Sequence, residues 1–163
     1  MRILLSVALI TLAVAATATA IPGRALAEDP VGVGDLRIMH PWARASAGHG
    51  NTGAAFMTIM NTGNKDDKLV AASTTVAKKT EIHETKMEDG VMKMRMMMGG
   101  LPIPAGGEVE LKPMGLHVMM MGLKEKLIEG KTLALTLTFE KAGSVELAVP
   151  IAGPGAMMAP HMN

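Results

Sequence analysis

The segment Thr132-Leu-Ala-Leu-Thr-Leu-Thr-Phe-Glu140 indicates the fold more clearly than any other part of this 163-residue sequence. Three leucines and Phe139 occupy alternate positions, and Thr, Ala or Glu occupies the positions between them. Successive side chains of a β-strand point to opposite faces, so this alternation predicts a strand with one apolar and one polar face. We expect the leucine face to be buried and the threonine face to meet water.

Shorter segments with strand-like patterns recur along the chain, and Gly, Pro, Asn and Asp separate them. No stretch shows a helical period over three turns. The pattern predicts an all-β domain of about eight or nine short strands, built as a sandwich or a Greek-key barrel. The predicted strands are residues 33–39, 54–61, 68–73, 79–87, 91–98, 108–111, 117–121, 132–140 and 145–149.

Residues 1–27 have the pattern of a cleaved signal peptide. A basic start at Arg2 precedes an uncharged, mostly apolar run, and Ala25-Leu26-Ala27 fits a signal peptidase site. An earlier cleavage after Ala20 and an uncleaved membrane anchor are the alternatives. We therefore expect an exported, soluble periplasmic protein without stable membrane insertion after cleavage. Residues 28–152 would form the β domain, and the Gly- and Pro-containing residues 153–163 a flexible tail.

Composition excludes several classes of function. Sixteen basic and fifteen acidic residues nearly balance, which argues against a nucleic-acid-binding protein. The sequence has no cysteine, which excludes disulfides, thiolate catalysis, iron–sulfur clusters and blue-copper centres. No Ser–His–acid or paired-carboxylate spacing stands out, so we expect no enzyme. The unusual feature is seventeen methionines beside only three aromatic residues.

Ten of the methionines lie between residues 87 and 121. Asp89-Gly90 is a strong signal for a two-residue hairpin turn. That turn would pair His83 with Met96 and leave Met94 as a diagonal neighbour of His83 on the same face. A four-residue loop would instead place His83 directly opposite Met94, and an odd loop would separate their faces.

A second imidazole–thioether cluster follows at His117, Met119 and Met121, which share one face of a predicted strand. Thioether sulfur is soft and neutral, so it suits Cu(I) and is a poor ligand for zinc, magnesium or calcium. Two imidazoles and two thioethers would form a neutral tetrahedral set. Methionine is also a flexible core filler, so spacing alone leaves both interpretations open.

The motif His83, ten residues, Met94, twenty-two residues, then His117-x-Met119 closely resembles that of the periplasmic copper chaperone family PCuAC. The resemblance extends upstream to His40-Pro-Trp-Ala-Arg44 and ends near Pro150, so it covers nearly the whole predicted domain. It implies a cupredoxin-like Greek-key fold. It also implies Cu(I) ligation by His83, Met94, His117 and Met119, and so selects Met94 over Met96.

Further implications of the resemblance concern partners. Family members receive copper outside the cytoplasmic membrane and deliver it toward the CuA centre in subunit II of cytochrome c oxidase. A Sco-type thioredoxin-like protein is a further expected partner. Copper sequestration or resistance would use the same site. The alternative of another class is a metal-free β-sandwich interaction module that binds partners through a methionine face.

This sequence departs from the usual family pattern at two places. Residues 95–98 carry three methionines where Pro and an acid are more familiar, and Met114 stands where a small residue is usual. The sequence leaves open whether Met96 or Met121 substitutes as a ligand. The tail carries Met157, Met158, His161 and Met162. These residues would form a second, weaker copper site, with Cu(II) as a candidate ion.

Overall fold

The computed structural model describes residues 30–48 and 50–160 of the chain. The predicted signal peptide, His49 and the tail residues His161 and Met162 lie outside the described residues. Within the described ranges, no helix is long and apolar enough to cross a membrane.

The described residues form eleven β-strands and no helix, so the all-β prediction is confirmed. The predicted number of strands was too small by two or three. The strands are β1 (Val31–Val33), β2 (Leu36–Arg44), β3 (Thr52–Asn61), β4 (Asp67–Ser73), β5 (Ala77–Glu88), β6 (Val91–Met96), β7 (Leu101–Ile103), β8 (Glu108–Leu111), β9 (Leu116–Leu123), β10 (Thr132–Phe139) and β11 (Gly143–Ala152).

The strands follow the order β6-β5-β9-β3-β2-β11-β10-β4-β7, with β1 paired to β2 and β8 paired to β3. Neighbouring strands are antiparallel except β11 and β2, which pair in parallel at the end of β11. Strands distant in sequence therefore lie side by side. β5 lies next to β9, and this neighbourhood decides where the histidines meet.

β10 agrees with its predicted pattern. Leu133, Leu135, Leu137 and Phe139 are buried in the main core, together with residues such as Ile59 and Val149. The residues between them are exposed or half-buried. The apolar face thus anchors the domain, and full burial of one leucine contributes about 1.5–3 kcal/mol.

Two strands absent from the prediction, β1 and β7, have local causes. The predicted strand 33–39 is divided by a turn at Gly34, whose φ of 55° favours glycine, into β1 and β2. β2 then continues past Pro41, because an irregular register between Met39 and Trp42 removes the regular pairing there. β7 contains Pro102 and lies at the end of the strand order, where proline is tolerated.

A smaller apolar cluster covers the opposite face of β2 and β3. Trp42 and Phe56 are buried there with ring centroids 4.5 Å apart, whereas their neighbours Ala43 and Ala55 belong to the main core. The segment after β11 packs on this cluster through small residues, and Arg44 donates a hydrogen bond of 2.7 Å to the Ala156 carbonyl. This face supports the site described next.

Candidate metal centre

The β5–β6 hairpin closes through a two-residue turn at Asp89-Gly90. Both turn residues have positive φ, 52° and 77°, as the favoured hairpin turn requires. His83 therefore pairs with Met96, and Thr85 pairs with Met94. The two-residue hairpin prediction is confirmed, and the four-residue alternative is wrong. Met94 is a diagonal neighbour of His83.

Pairing between β5 and β9 aligns the two histidines. His83 and His117 are direct cross-strand partners, and their ring centroids lie 5.9 Å apart. Their chain neighbours Ile82 and Val118 are also paired and are buried in the main core. Because strand side chains alternate between faces, both imidazoles lie on the face of the sheet opposite the core.

One ring nitrogen of His83 has a hydrogen-bond partner, and the other has none among the described residues. Its Nε2 lies 2.8 Å from a carboxylate oxygen of Glu81. A carboxylate only accepts, so Nε2 carries the hydrogen and Nδ1 keeps its lone pair. Nδ1 is buried and has no hydrogen-bond partner among the described residues. An unsatisfied buried acceptor is costly, and a bound metal ion would satisfy it.

His117 presents the opposite ring nitrogen. Its Nδ1 lies 3.0 Å from the carbonyl oxygen of Gly115, so Nδ1 donates and Nε2 keeps the lone pair. The side chain is only 5% exposed, and this burial lowers the pKa of His117. The bond to Gly115 opposes the shift, and the nearby His83 adds to it. His117 is thus held in the neutral form that binds metals.

Glu81 holds the His83 ring and is itself held by Lys79. The Lys79 ammonium lies 2.5 Å from the carboxylate. The pKa of Glu81 is lowered, first by this contact and next by the hydrogen bond from His83. Metal-binding imidazoles commonly have a carboxylate partner of this kind, which fixes the ring orientation. The sequence analysis missed Glu81, although its position two residues before His83 places it on the same face.

Four methionines contribute to the lining of a cavity of about 390 Å³ that His117 also lines. Met94 and Met119 of the predicted ligand set line it, and Met92 and Met114 line it too. His83 lies outside this lining but adjoins His117. The structure thus groups Met94, His117 and Met119 at one cavity, and His83 lies next to His117 outside the lining. The site lining also includes Arg44, Thr85 and Phe56.

Exposure separates the methionines into two groups. Met57 and Met120 are buried in the main core, as a packing role requires. Met92, Met94 and Met114 are 40%, 52% and 66% exposed. Core packing therefore does not account for these three of the four methionines that line the cavity.

The remaining sequence candidates lie elsewhere. His40 is exposed at the irregular part of β2, and Met96 and Met121 do not line the cavity. In the tail, Met157 and Met158 are exposed, and Arg44 donates a hydrogen bond to the Met157 sulfur at 3.6 Å. Within the described residues, no group of three or more His, Cys, Asp or Glu could hold a metal ion.

Comparison with known proteins agrees with this arrangement. Residues 36–151 match the family described as "Putative lipoprotein LpqE-like". The chain belongs to the LpqE-like family. It is 36% identical over 116 residues to "Putative lipoprotein Lxx21020" of Leifsonia xyli subsp. xyli, a match that covers 71% of this chain and 69% of that relative.

Solved structures similar to this LpqE-like chain include PCuAC domains. The apo PCuAC domain from PmoF1 is 30% identical, with a TM-score of 0.66 over 77% of this chain and 99% of that domain. The solution structure of Cu(I)-DR1885 from Deinococcus radiodurans is also 30% identical, with a TM-score of 0.59 over 76% and 80%. The resemblance to PCuAC and the cupredoxin-like fold are therefore confirmed.

Proposed function

We propose that this protein is a periplasmic Cu(I) metallochaperone. One Cu(I) ion is bound by His83, Met94, His117 and Met119 and is delivered by ligand exchange toward the CuA site of cytochrome c oxidase. The relationship to PCuAC domains supports copper as the cargo, because one similar structure is a Cu(I) complex. The expected acceptor is subunit II of the oxidase, with a Sco-type protein as a further partner.

The pair of imidazoles carries this proposal. Hydrogen bonds to Glu81 and Gly115 leave the lone pairs of His83 Nδ1 and His117 Nε2 available. The His83 atom is buried without a partner, and the rings adjoin each other. Thioethers of Met94 and Met119 lie at the cavity next to His117. This neutral donor set of nitrogen and soft sulfur fits Cu(I) and disfavours hard cations.

The uneven exposure of the ligands fits a carrier. Met94 is half exposed, whereas His117 is buried. Thiolates of an acceptor would therefore displace the outer thioether first and the buried imidazole last. Such stepwise exchange needs no free copper ion and no change of oxidation state.

The first test is an anaerobic Cu(I) titration of residues 28–163 against a coloured competing chelator. We expect one tight equivalent, which a His117→Ala, Met119→Leu double variant loses. Met87→Leu is the matched control, because Met87 is an exposed methionine of the same hairpin that does not line the cavity. Failure of the unaltered chain to compete with the chelator would favour the interaction module.

Delivery requires a separate test. The Cu(I)-loaded chain would be mixed with the soluble copper-free CuA domain of subunit II, and mass spectrometry would measure copper on each protein. Transfer to the oxidase domain would support a chaperone. Tight binding without transfer, also in the presence of a Sco-type protein, would favour sequestration.

The proposal includes export. Residues 1–27 would be removed as a signal peptide, residues 28–152 would bind Cu(I), and residues 153–163 would form the tail, in which Ala156 and Ala159 pack on the cluster of Trp42 and Phe56. Amino-terminal sequencing of the protein from the periplasmic fraction should begin at Glu28. Met157, Met158, His161 and Met162 are proposed as a weaker Cu(II) site. Replacing the three methionines by Leu and His161 by Ala would remove it without affecting the tight Cu(I) equivalent.

A further inference from the structure

Three exposed methionines belong to the lining of the cavity. Met92, Met94 and Met114 all line it, and the proposed ligand set uses only Met94. Exposure of large apolar side chains around one opening has no packing benefit. Thioether sulfur, however, is a ligand that needs no deprotonation.

The backbone at Met114 is unfavourable for a residue with a Cβ atom. Its φ is 64°, in the left-handed region that favours glycine or asparagine. The turn is nevertheless well fixed, because the Gly115 amide donates to the Lys112 carbonyl and the Thr85 amide donates to the Gly115 carbonyl, both at normal distances. A glycine would relieve the strain, but it would remove the sulfur from the cavity.

The hairpin brings the other two sulfurs to the same place. Met92 and Met94 are two residues apart on β6 and therefore share a face. Met94 pairs with Thr85, whose amide is bonded to the turn that carries Met114. The first part of β6 and the turn before β9 thus meet at the same cavity.

We propose a second Cu(I) position at this opening, bound by Met92, Met94 and Met114, through which copper reaches and leaves the histidine site. The inference rests on the proposed function, since Met94 is shared between both positions. Moving inward, the ion keeps the bond to Met94, loses those to Met92 and Met114, and gains His83, His117 and Met119. No proton or electron is transferred, because every ligand is neutral and copper remains Cu(I).

The test removes the imidazoles and asks what still binds. A His83→Ala, His117→Ala variant should retain one Cu(I) equivalent, weaker than the original by at least about tenfold because two ligands are lost. Adding Met92→Leu and Met114→Leu should abolish this equivalent. Adding Met98→Leu instead should leave it unchanged, because Met98 is highly exposed but does not line the cavity. Circular dichroism would confirm folding.

A second measurement keeps the histidines. In the otherwise unaltered chain, Met92→Leu with Met114→Leu should slow copper transfer to the chelator several-fold and preserve the affinity of the tight equivalent. Met98→Leu should change neither quantity.

The outcomes separate the two proposals. Tight binding by the unaltered chain, with no copper on the histidine-free variant and unchanged transfer rates, would overturn the second position and leave the chaperone function standing. If adding Met98→Leu removed the copper equivalent as fully as adding Met92→Leu and Met114→Leu, the second position would also be overturned. Binding would then not depend on which methionines are present. If the unaltered chain bound no Cu(I), both proposals would fail.

Discussion

β10 and β6 have the same sequence pattern and opposite surroundings. Each carries large apolar side chains at alternate positions, leucine in β10 and methionine in β6. The leucine face of β10 is buried, whereas all six residues of β6 are exposed. β7 also ends the strand order but packs Leu101 and Ile103 in the main core, whereas no residue of β6 belongs to the main core of the described residues. Periodicity therefore shows which side chains share a face, and topology determines whether that face packs or binds.

The largest difference between β10 and β6 is expected in the free energy of unfolding. Leu135→Ala in β10 should lower the free energy of unfolding by about 2–5 kcal/mol, because the leucine is fully buried and its loss leaves a cavity. Met94→Ala in β6 should change it by no more than about 0.5 kcal/mol. Urea denaturation of both copper-free variants measures this. A similar cost for both would mean that β6 packs against the domain in solution.

For Cu(I) affinity, substitution of Met94 in β6 should have a larger effect than substitution of Leu135 in β10. Met94→Leu should weaken Cu(I) binding by at least about 100-fold, beyond the usual effect of a residue that only supports a ligand. Leu135→Ala should leave the affinity of the folded protein nearly unchanged. Met96→Leu is the control on β6, since Met96 faces His83 but does not line the cavity. A greater loss for Met96 than for Met94 would exchange their roles.

A smaller effect is expected from Glu81. Glu81→Gln keeps an acceptor for the His83 ring but removes the charge that fixes its protonated nitrogen, so Cu(I) affinity should fall by about tenfold. Glu84→Gln is the control, because Glu84 lies on the other face of β5 and contacts Lys86. Chelator competition would measure both. Equal affinities for the two variants would remove Glu81 from the site.

The smallest effect is expected from pH. Burial lowers the pKa of His117 from its ordinary value of 6.5, so the unfolded chain takes up a proton there before the folded chain does. Stability of the copper-free protein should therefore be full above pH 6.5 and decrease as pH falls below it toward the folded pKa. His117→Gln should weaken this dependence, and exposed His40→Gln should not. Denaturation at several pH values measures this dependence. A free energy of unfolding that stays constant as pH falls below 6.5 would mean that protons reach His117 in the folded chain.

Copper binding should depend on pH in the same direction. Protons compete with Cu(I) for the imidazoles, so affinity should fall with pH, and the burial of His117 should shift its part of the decrease to lower pH. Chelator competition between about pH 5 and 8 covers the ordinary range of histidine. A constant affinity across this range would exclude a site with two imidazoles.

Local patterns made part of this structure predictable. The alternation of residues 132–140 indicated β10, and Asp89-Gly90 indicated both the hairpin and its register. The resemblance to PCuAC supplied the choice of Met94. β7 was not predicted because it has only three residues and contains a proline.

Features that depend on distant strands were not predictable. The alignment of His83 with His117 follows from the pairing of β5 with β9, which are separated by three other strands in the chain. No local rule gives that pairing. The burial of His117 and the exposure of β6 depend on it as well. The left-handed backbone of Met114 was also unexpected, because sequence assigns such positions to glycine first.

The edge position of β6 has a consequence for solubility. An edge strand with alternating large apolar residues can pair through its free side with the edge of another molecule and begin aggregation. The opposite face of β6 carries Lys93 and Arg95, which form ion pairs with Glu88 at 3.2 and 2.7 Å. Charged residues at an edge oppose such association. The strand that exposes a row of methionines thus carries on its other face the charges that protect it from self-association.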